Sequence, residues 1–237
     1  MSSLIKLPVI LAVAISLHVA HTTPSKSSSN EEATVNTALE WVVQFGISII
    51  KFVKGLFWAV AAAEMAAIMS TTLLSSYVDP RIAFALIKNG DPEALHLTPL
   101  STVGAVLVVG GTLLRWQCYR AMKSLFTFEV SIRKDHHLIT TGPYAMVRHP
   151  SYSGMLAIHI GMYCWWGSRG SWLREAGFLD TTGGKIALVA FAMYEMGVLG
   201  GLLMRAPVED VMLKKQFGAQ WTAYAHRVPY ALVPGVY

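Results

Sequence analysis

The sequence predicts an all-α, polytopic integral membrane protein, a bundle of about five transmembrane helices followed by a C-terminal amphipathic helix. Hydrophobic residues make up 54% of the 237 residues and charged residues only 14%. Soluble domains contain roughly 45–50% apolar residues and about 25% charged residues. The mean hydropathy is +0.46. The apolar residues form long blocks rather than alternating ten-residue strands, so a disordered chain and a transmembrane β-barrel are both excluded.

Five apolar blocks have the length or composition of membrane-spanning helices. They comprise residues 4–20, 56–74, 100–114, 152–166 and 186–204. A further block, residues 39–53, is predicted to be an interfacial or short membrane helix. The block at 4–20 has two interpretations, a cleavable signal peptide and a retained first helix, and its weakly charged start favours the retained helix.

The segment after the last block has a different pattern. From Pro207 onward, apolar residues recur at roughly helical spacing between charged ones, as in an amphipathic helix. Pro207 suits the first turn of a helix, and a helix is expected to end before Pro229. The sequence therefore predicts an amphipathic helix between these two prolines.

A few residues inside the apolar blocks predict specific contacts. Glu64 is expected to face protein or water, because a carboxylate is costly in lipid. Gly197 and Gly201 are four residues apart and predict close packing against a neighbouring helix. Cys118 and Cys164 form no CxxC pair, so no disulfide framework, structural zinc or iron–sulfur site is expected.

The distribution of charge predicts the orientation in the membrane. Residues 115–148 carry six Lys or Arg against two acidic residues, and residues 205–237 carry four against two. Basic residues accumulate on the cytoplasmic side of membrane proteins, so both segments are predicted to face the cytosol. The net charge of +5 is explained by topology, and the absence of a compact basic run argues against a nucleic-acid partner.

Polar residues concentrate in two places, residues 136–154 and residues 205–210. In the first, Pro150 is placed where a helix can begin, and the start of a helix favours an anion such as a carboxylate. His149 could donate to that anion, and Tyr152 would lie on the same side. In the second, Arg205 and Glu209 are four residues apart, on one face of a helix.

Structural interpretations of these residues remain open. An interfacial histidine is commonly a hydrogen-bonded structural residue, and Arg205 with Glu209 would also make an ordinary intrahelical ion pair, worth a few tenths of a kcal/mol. The histidines show no HxxxH or HxxE spacing, so no metal site is expected. From the residues alone, a functional role for Arg205 is no better supported than an anchoring one.

The two segments together resemble the isoprenylcysteine carboxyl methyltransferase family. Gly142, Tyr144, Arg148-His149-Pro150, Tyr152 and Gly154 follow that family's G-x-Y-x-x-x-R-H-P-x-Y-x-G pattern. Arg205, Glu209-Asp210, Leu213, Phe217-Gly218, Tyr224 and Val228-Pro229 follow its second pattern, in the same order along the chain. The resemblance covers roughly residues 100–234, and it divides the chain into membrane helices with a connector (1–98) and a methyltransferase core (99–237).

This resemblance implies a multi-pass enzyme of the endoplasmic reticulum membrane with a cytosol-facing cofactor pocket. It would use S-adenosyl-L-methionine to methylate the C-terminal carboxylate of a prenylated cysteine, so its partners would be prenylated CaaX-type proteins and the lipid bilayer. Arg205 would bind the substrate carboxylate and act as the catalytic residue. The cofactor would contact the remaining predicted site residues, which are His136, His137, Leu138, Ile139, Tyr144, His149, Pro150, Ser151, Tyr152 and Glu209.

Two departures and two rival functions qualify the resemblance. Asp210 replaces the second glutamate of the family's usual pair, and Glu129 occupies a weakly aligned position where relatives would carry a glutamine that reaches the cofactor. A phospholipid N-methyltransferase is the nearest alternative, although its amine substrate gives less reason for a carboxylate-binding arginine. A non-catalytic membrane protein is the alternative from another class, and then the polar motifs would be interfacial anchors.

Overall fold

The computed structural model describes residues 2–22, 33–34, 38–74, 76–77, 79, 81, 86–87, 94–126, 131–132 and 137–236. Its helices are α1 (Ser2–Ala20), α2 (Ala38–Thr72), α3 (Pro99–Met122), α4 (Pro150–Gly167), α5 (Trp172–Glu175), α6 (Thr182–Phe217) and α7 (Ala219–Arg227), with short 3-10 turns at Lys123–Leu125, Gly142–Ala145 and Phe178–Asp180. Two-residue strands, β1 (Ala33–Thr34) and β2 (Ser131–Ile132), pair antiparallel, with Ala33 opposite Ile132. The helical class predicted from the sequence is confirmed.

Among the described residues, four helices are long and apolar enough to cross a membrane. They are Ser3–Ala20, Phe45–Thr72, Pro99–Leu125 and Thr182–Phe217. The predicted span at residues 152–166 is helical within α4, but it is not among these four. The polytopic membrane bundle is therefore confirmed, and a crossing by α4 stays a prediction.

Two predicted helix boundaries are wrong, because the helices continue through them. Residues 39–53 and 56–74 belong to one helix, α2. Pro207 lies inside α6 rather than at the start of a new helix, and the break comes at Gly218, whose φ is +52°. Proline removes one backbone hydrogen bond from a helix, but continuing the helix leaves fewer unsatisfied backbone groups than ending it near lipid.

The contacts divide the chain into two compact units. The first contains residues 1–19, 51–110 and 157–193, and the second contains residues 20–50, 111–156 and 194–237. This division follows packing, whereas the predicted boundary at residue 98 follows the motifs and stays a prediction.

In the first unit, α1 is held by apolar packing and by one buried ion pair. Its residues Ile10, Val13, Ala14 and Leu17 are buried. The Lys6 ammonium forms an ion pair with the Glu64 carboxylate and donates a hydrogen bond of 2.5 Å to the carbonyl oxygen of Gly170. The backbone N–H of Trp172 donates to the same carboxylate. The prediction that Glu64 faces protein is confirmed.

Glycines allow very close helix contacts at some positions and face open space at others. A Cβ added to Gly104 of α3 would lie 2.6 Å from the backbone nitrogen of Trp165 and 2.7 Å from the carbonyl oxygen of Gly161, both in α4. A Cβ added to Gly197 would meet no atom within 4 Å in the described part of the chain. Gly197 therefore makes no close contact with the described residues, whereas Gly201 on the same helix is buried, and the predicted packing of this helix stays a prediction.

In the second unit, the C-terminal segment pairs with the loop that enters α4. The backbone N–H groups of Arg148 and His149 donate to the carbonyl oxygens of Tyr230 and Ala231, at 2.9 and 2.8 Å. The Tyr224 hydroxyl of α7 donates to the carbonyl oxygen of Tyr144 at 2.8 Å. The chain after α6 thus fixes the first sequence motif in place.

Candidate functional site

The two sequence motifs meet in one group of charged side chains, which we call the motif cluster: Arg148, His149, Arg205, Glu209 and Asp210. Two of these residues directly precede α4, and three lie on α6 near its C-terminal end. The predicted helix start at Pro150 is confirmed. All five residues belong to the second unit.

His149 lies between the two carboxylates. Its Nε2 atom is 2.9 Å from Oδ1 of Asp210, and its Nδ1 atom is 3.3 Å from Oε2 of Glu209. Its ring stacks on Tyr152, with centroids 5.6 Å apart and an interplanar angle of 8°. Since each ring nitrogen faces a carboxylate oxygen, the geometry fits an imidazolium that donates from both nitrogens.

The protonation of His149 follows from two opposing effects. Burial lowers the pKa of the imidazole, but its hydrogen bonds to Asp210 and Glu209, together with their negative charge, outweigh burial and raise the pKa to about 9. His149 is therefore a cation at neutral pH. The sequence predicts that the start of α4 binds an anion. In the structure, two carboxylates of the protein itself, Glu209 and Asp210, contact His149 there.

The Glu209 carboxylate is contacted by three side chains. The Tyr152 hydroxyl donates to Oε1 of Glu209, His149 contacts Oε2, and Nε of Arg205 lies 3.2 Å from Oε1. Arg205 itself is only 4% exposed. The intrahelical ion pair left open by the sequence is present, and it also connects Arg205 to the first motif through Glu209.

Asp210 connects His149 to a second arginine. Its Oδ2 atom lies 3.1 Å from both Nε and Nη2 of Arg148. The guanidinium of Arg148 also donates to the carbonyl oxygens of Val228 and Pro229. The shorter acid at this position thus anchors the loop and the C-terminal segment together. With His149 protonated, the motif cluster contains three cations and two carboxylates, an excess of one positive charge.

The other predicted cofactor residues are spread over the same unit. His136 lies outside the described residues, as does Glu129. His137 is exposed and Leu138 half-buried, while Ile139 packs against a buried cluster of Cys118, Tyr119, Phe126 and Tyr144. The Tyr144 hydroxyl donates to the sulfur of Met122 at 2.8 Å, and burial raises its pKa well above the usual value. Tyr152, by contrast, contacts two residues of the motif cluster directly, Glu209 and His149.

Sequence reasoning missed Arg115 and the role of Arg148. The predicted span ended at residue 114, so Arg115 was counted with the charges of a polar segment. In the structure α3 continues to Met122, and Arg115 is 4% exposed. Its Nη1 atom donates to Oγ of Ser151 at 2.9 Å. An arginine one residue beyond an apolar block was the available signal.

Among the residues that the structure describes, no group of three or more His, Cys, Asp or Glu side chains could hold a metal ion. The motif cluster instead offers hydrogen-bond donors, acceptors and a surplus positive charge. Such a set suits an organic, anionic or zwitterionic ligand.

Comparison with known proteins agrees with the resemblance seen in the motifs. Residues 104–167 match the sequence profile of the isoprenylcysteine carboxyl methyltransferase family. The family resemblance is confirmed. The matched segment contains most of α3, the whole first motif and α4, whereas the second motif lies beyond it.

Several named enzymes are similar to this chain. Protein-S-isoprenylcysteine O-methyltransferase B of Arabidopsis thaliana is 32% identical over 135 residues, which cover 55% of this chain and 57% of the relative. Protein-S-isoprenylcysteine O-methyltransferase of Mus musculus is 29% identical over 164 residues, which cover 67% of this chain and 49% of the relative. The chain thus matches about half the length of these relatives. No solved structure shows significant similarity to it.

Proposed function

We propose that this protein transfers a methyl group from S-adenosyl-L-methionine to the C-terminal carboxylate of a prenylated cysteine, giving a methyl ester. One observation carries the proposal: the two motifs that resemble a prenylcysteine methyltransferase meet in a single charged cluster with a surplus positive charge. The relatives named for that reaction support it. We also propose a multi-pass location in the endoplasmic reticulum membrane, with the cluster facing the cytosol.

The chemistry requires little beyond positioning. A C-terminal carboxylate has a pKa near 3.5 and is already ionised at neutral pH, so no general base is required. Methyl transfer from a sulfonium is an in-line displacement, in which a carboxylate oxygen forms the new bond to carbon as the bond to sulfur breaks. Holding the two reactants in line is the main task of the protein.

Arg205 is the proposed carboxylate-binding and catalytic residue. A guanidinium cannot lose its proton and can hold a carboxylate with two parallel hydrogen bonds. Its Nε atom lies 3.2 Å from Oε1 of Glu209, so the residue that would contact the cofactor also holds the guanidinium that would bind the substrate carboxylate. The surplus positive charge of the motif cluster would be balanced when the substrate carboxylate binds.

Glu209 and the aromatic pair of His149 and Tyr152 are the proposed cofactor contacts. Glu209 is 21% exposed although Tyr152, His149 and Arg205 contact it, so its carboxylate can still accept from ribose hydroxyls or from an ammonium group. The residues present therefore fit this cofactor, which supplies the electrophilic methyl group when bound. Prenylated CaaX-type proteins are the proposed substrates, and their lipid tails would lie in the bilayer.

The proposal is tested by the identity of the methyl acceptor. Membranes containing the protein are incubated with methyl-labelled S-adenosylmethionine and either a farnesylcysteine analogue or phosphatidylethanolamine. We expect label in a base-labile methyl ester of the farnesylcysteine analogue. Label in the lipid amine would indicate the phospholipid methyltransferase instead, and no label with either acceptor would indicate a non-catalytic protein.

The division of roles between Arg205 and Glu209 is tested by two alanine variants. Arg205→Ala is expected to lower kcat/KM for the prenylcysteine by about 10- to 100-fold, as for a lost charged hydrogen bond, with nearly normal cofactor binding. Glu209→Ala is expected to weaken cofactor binding. The matched control is Lys214→Ala, an exposed residue of the same helix. Equal loss of cofactor binding in both variants would contradict the assignment.

A further inference from the structure

Arg115 holds two helix ends with one guanidinium. Its Nη1 atom donates to Oγ and to the carbonyl oxygen of Ser151, at 2.9 and 3.2 Å. Its Nε and Nη2 atoms donate to the carbonyl oxygen of Ala20, at 3.3 and 3.1 Å. Ser151 lies in the first turn of α4, and Ala20 is the last residue of α1.

The electrostatics at Ala20 favour a cation. The last carbonyl groups of a helix have no partner within it and lie at the negative end of the helix dipole. Here the carbonyl oxygen of Ala20 accepts from Arg115 and also from the Tyr119 hydroxyl, at 3.0 Å. The guanidinium is 5.5 Å from the ring centroid of Tyr119. A buried charge is costly without such partners, and these contacts offset that cost.

Close backbone packing fixes the position of Arg115 against α4. A Cβ added to Gly154 would lie 2.7 Å from the carbonyl oxygen of Gly111 and 2.9 Å from Cγ of Arg115. The start of α4 therefore cannot shift toward α3, and the bond to Ser151 limits its movement away. His149 and Tyr152, which contact Glu209, flank Ser151 in the sequence, so the same anchor sets their positions.

We propose that Arg115 is a positioning residue for methyl transfer. It holds the first turn of α4 in place, so that His149 and Tyr152 lie where they can contact both Glu209 and the methyl donor. This inference rests on the proposed function. In this arrangement Ser151 serves as an acceptor for Arg115 in addition to its predicted contact with the cofactor. The end of α1 becomes part of the support of the site, which favours the retained-helix interpretation of residues 4–20.

The first test separates positioning from general stability by kinetics on folded protein. Arg115→Gln and Arg115→Lys are purified in detergent, and rates are normalised to the folded fraction. We expect kcat/KM for the methyl donor to fall by up to about 100-fold, as for a displacement of about 1 Å, with KM for the prenylcysteine changed less than about twofold. Lysine keeps the charge but cannot span both acceptors, so Arg115→Lys should restore stability more than turnover.

Arg120→Gln is the matched control for this test, and Ser151→Ala is a second test variant. Arg120→Gln removes an exposed cation from the same helix and should leave both constants unchanged. Ser151→Ala should show a smaller defect of the same kind, even if Arg115→Gln fails to fold. Normal donor kinetics in folded Arg115→Lys, or equal changes in both KM values, would overturn the proposal. Wild-type protein without turnover would refute the proposed function instead.

A second measurement needs no substrate. Amide hydrogen exchange is compared in wild type, Arg115→Lys and Arg120→Gln, on peptides covering residues 148–155. Loss of the anchor should speed exchange in this segment while distant parts of α4 stay protected. Unchanged exchange in Arg115→Lys would overturn the anchoring role, whatever the catalytic activity of the protein.

Discussion

The two compact units each contain a buried group of charges, and the two groups differ in exposure and balance. In the first unit, the side chains of Lys6 and Glu64 are each 1% exposed, and one cation meets one anion. In the second unit, Glu209 is 21% exposed, and Arg148 and Asp210 are 16% and 15% exposed. There, three cations meet two carboxylates.

This difference separates a structural ion pair from a group suited to bind a ligand. The carboxylate of Glu64 receives the Lys6 ammonium and a backbone N–H, and the ammonium also donates to a carbonyl group. Both side chains of this pair are inaccessible to solvent. The motif cluster is partly exposed and has a surplus positive charge. Exposure would let an anionic substrate reach the cluster, and the surplus charge would attract it.

The largest expected effect comes from breaking the pair in the first unit. Lys6→Met leaves the Glu64 carboxylate buried without its cation, and removing one partner of a buried pair costs about 3–5 kcal/mol. We expect a large drop in the melting temperature of the detergent-solubilised protein. The double variant Lys6→Met with Glu64→Leu should recover most of the loss, since no unpaired charge remains.

The control for this prediction is Lys51→Met, which removes an exposed cation from α2 and should leave the melting temperature almost unchanged. If Lys6→Met were as stable as wild type, the ion pair of Lys6 would not contribute to holding α1 in the first unit. A double variant no better than the single one would mean that packing of the Lys6 stem, not charge, is the stabilising contribution.

The fold class could be predicted because composition and apolar block length reflect the membrane directly. The ends of the helices could not be predicted. Residues 54–55 and Pro207 suggest helix ends locally, but α2 and α6 continue through them, because a continuous helix in or near lipid leaves fewer backbone groups unsatisfied. The partner of Glu64 also escaped prediction. Lys6 is 58 positions away in the sequence, and pairing at that distance is set by tertiary packing.

The residues of the site were predictable as motifs, but their partners were not. The motif patterns identified His149, Tyr152, Arg205 and Glu209. They did not indicate that Asp210 would form ion pairs with both His149 and Arg148, because these pairs require α6 to approach the start of α4. Ser151 was predicted as a cofactor contact from the motif and stays a predicted one, but the motif did not indicate that its hydroxyl also accepts from Arg115.

A smaller effect is expected from titrating His149. Its pKa in the folded protein, about 9, lies above its ordinary value of 6.5. The charged form therefore stabilises the fold fully below about pH 6.5, and this contribution is lost as the pH rises through about 9. Wild-type protein should lose more thermal stability between pH 6.5 and pH 9.5 than His149→Gln, measured by melting temperature in detergent.

The matched control for this titration is His226→Gln, which changes an exposed histidine of α7 and should keep the wild-type pH dependence. Parallel curves for wild type and His149→Gln would mean that the imidazole is neutral in the folded protein. The surplus positive charge of the motif cluster would then vanish, and the proposed charge balance with a substrate carboxylate would have to be abandoned.

The smallest expected effect concerns the glycines of the long helices. Gly197→Ala places a methyl group in open space and should stabilise α6 by up to about 1 kcal/mol, because alanine is the better helix residue. Gly104→Ala places the same group against the backbone of α4 and should destabilise the protein by about 1–3 kcal/mol. If Gly197→Ala instead lowered the melting temperature, some other molecule, such as a second copy of the chain, would have to cover that face of α6. Size-exclusion chromatography with light scattering on both variants would distinguish a second copy from lipid or detergent.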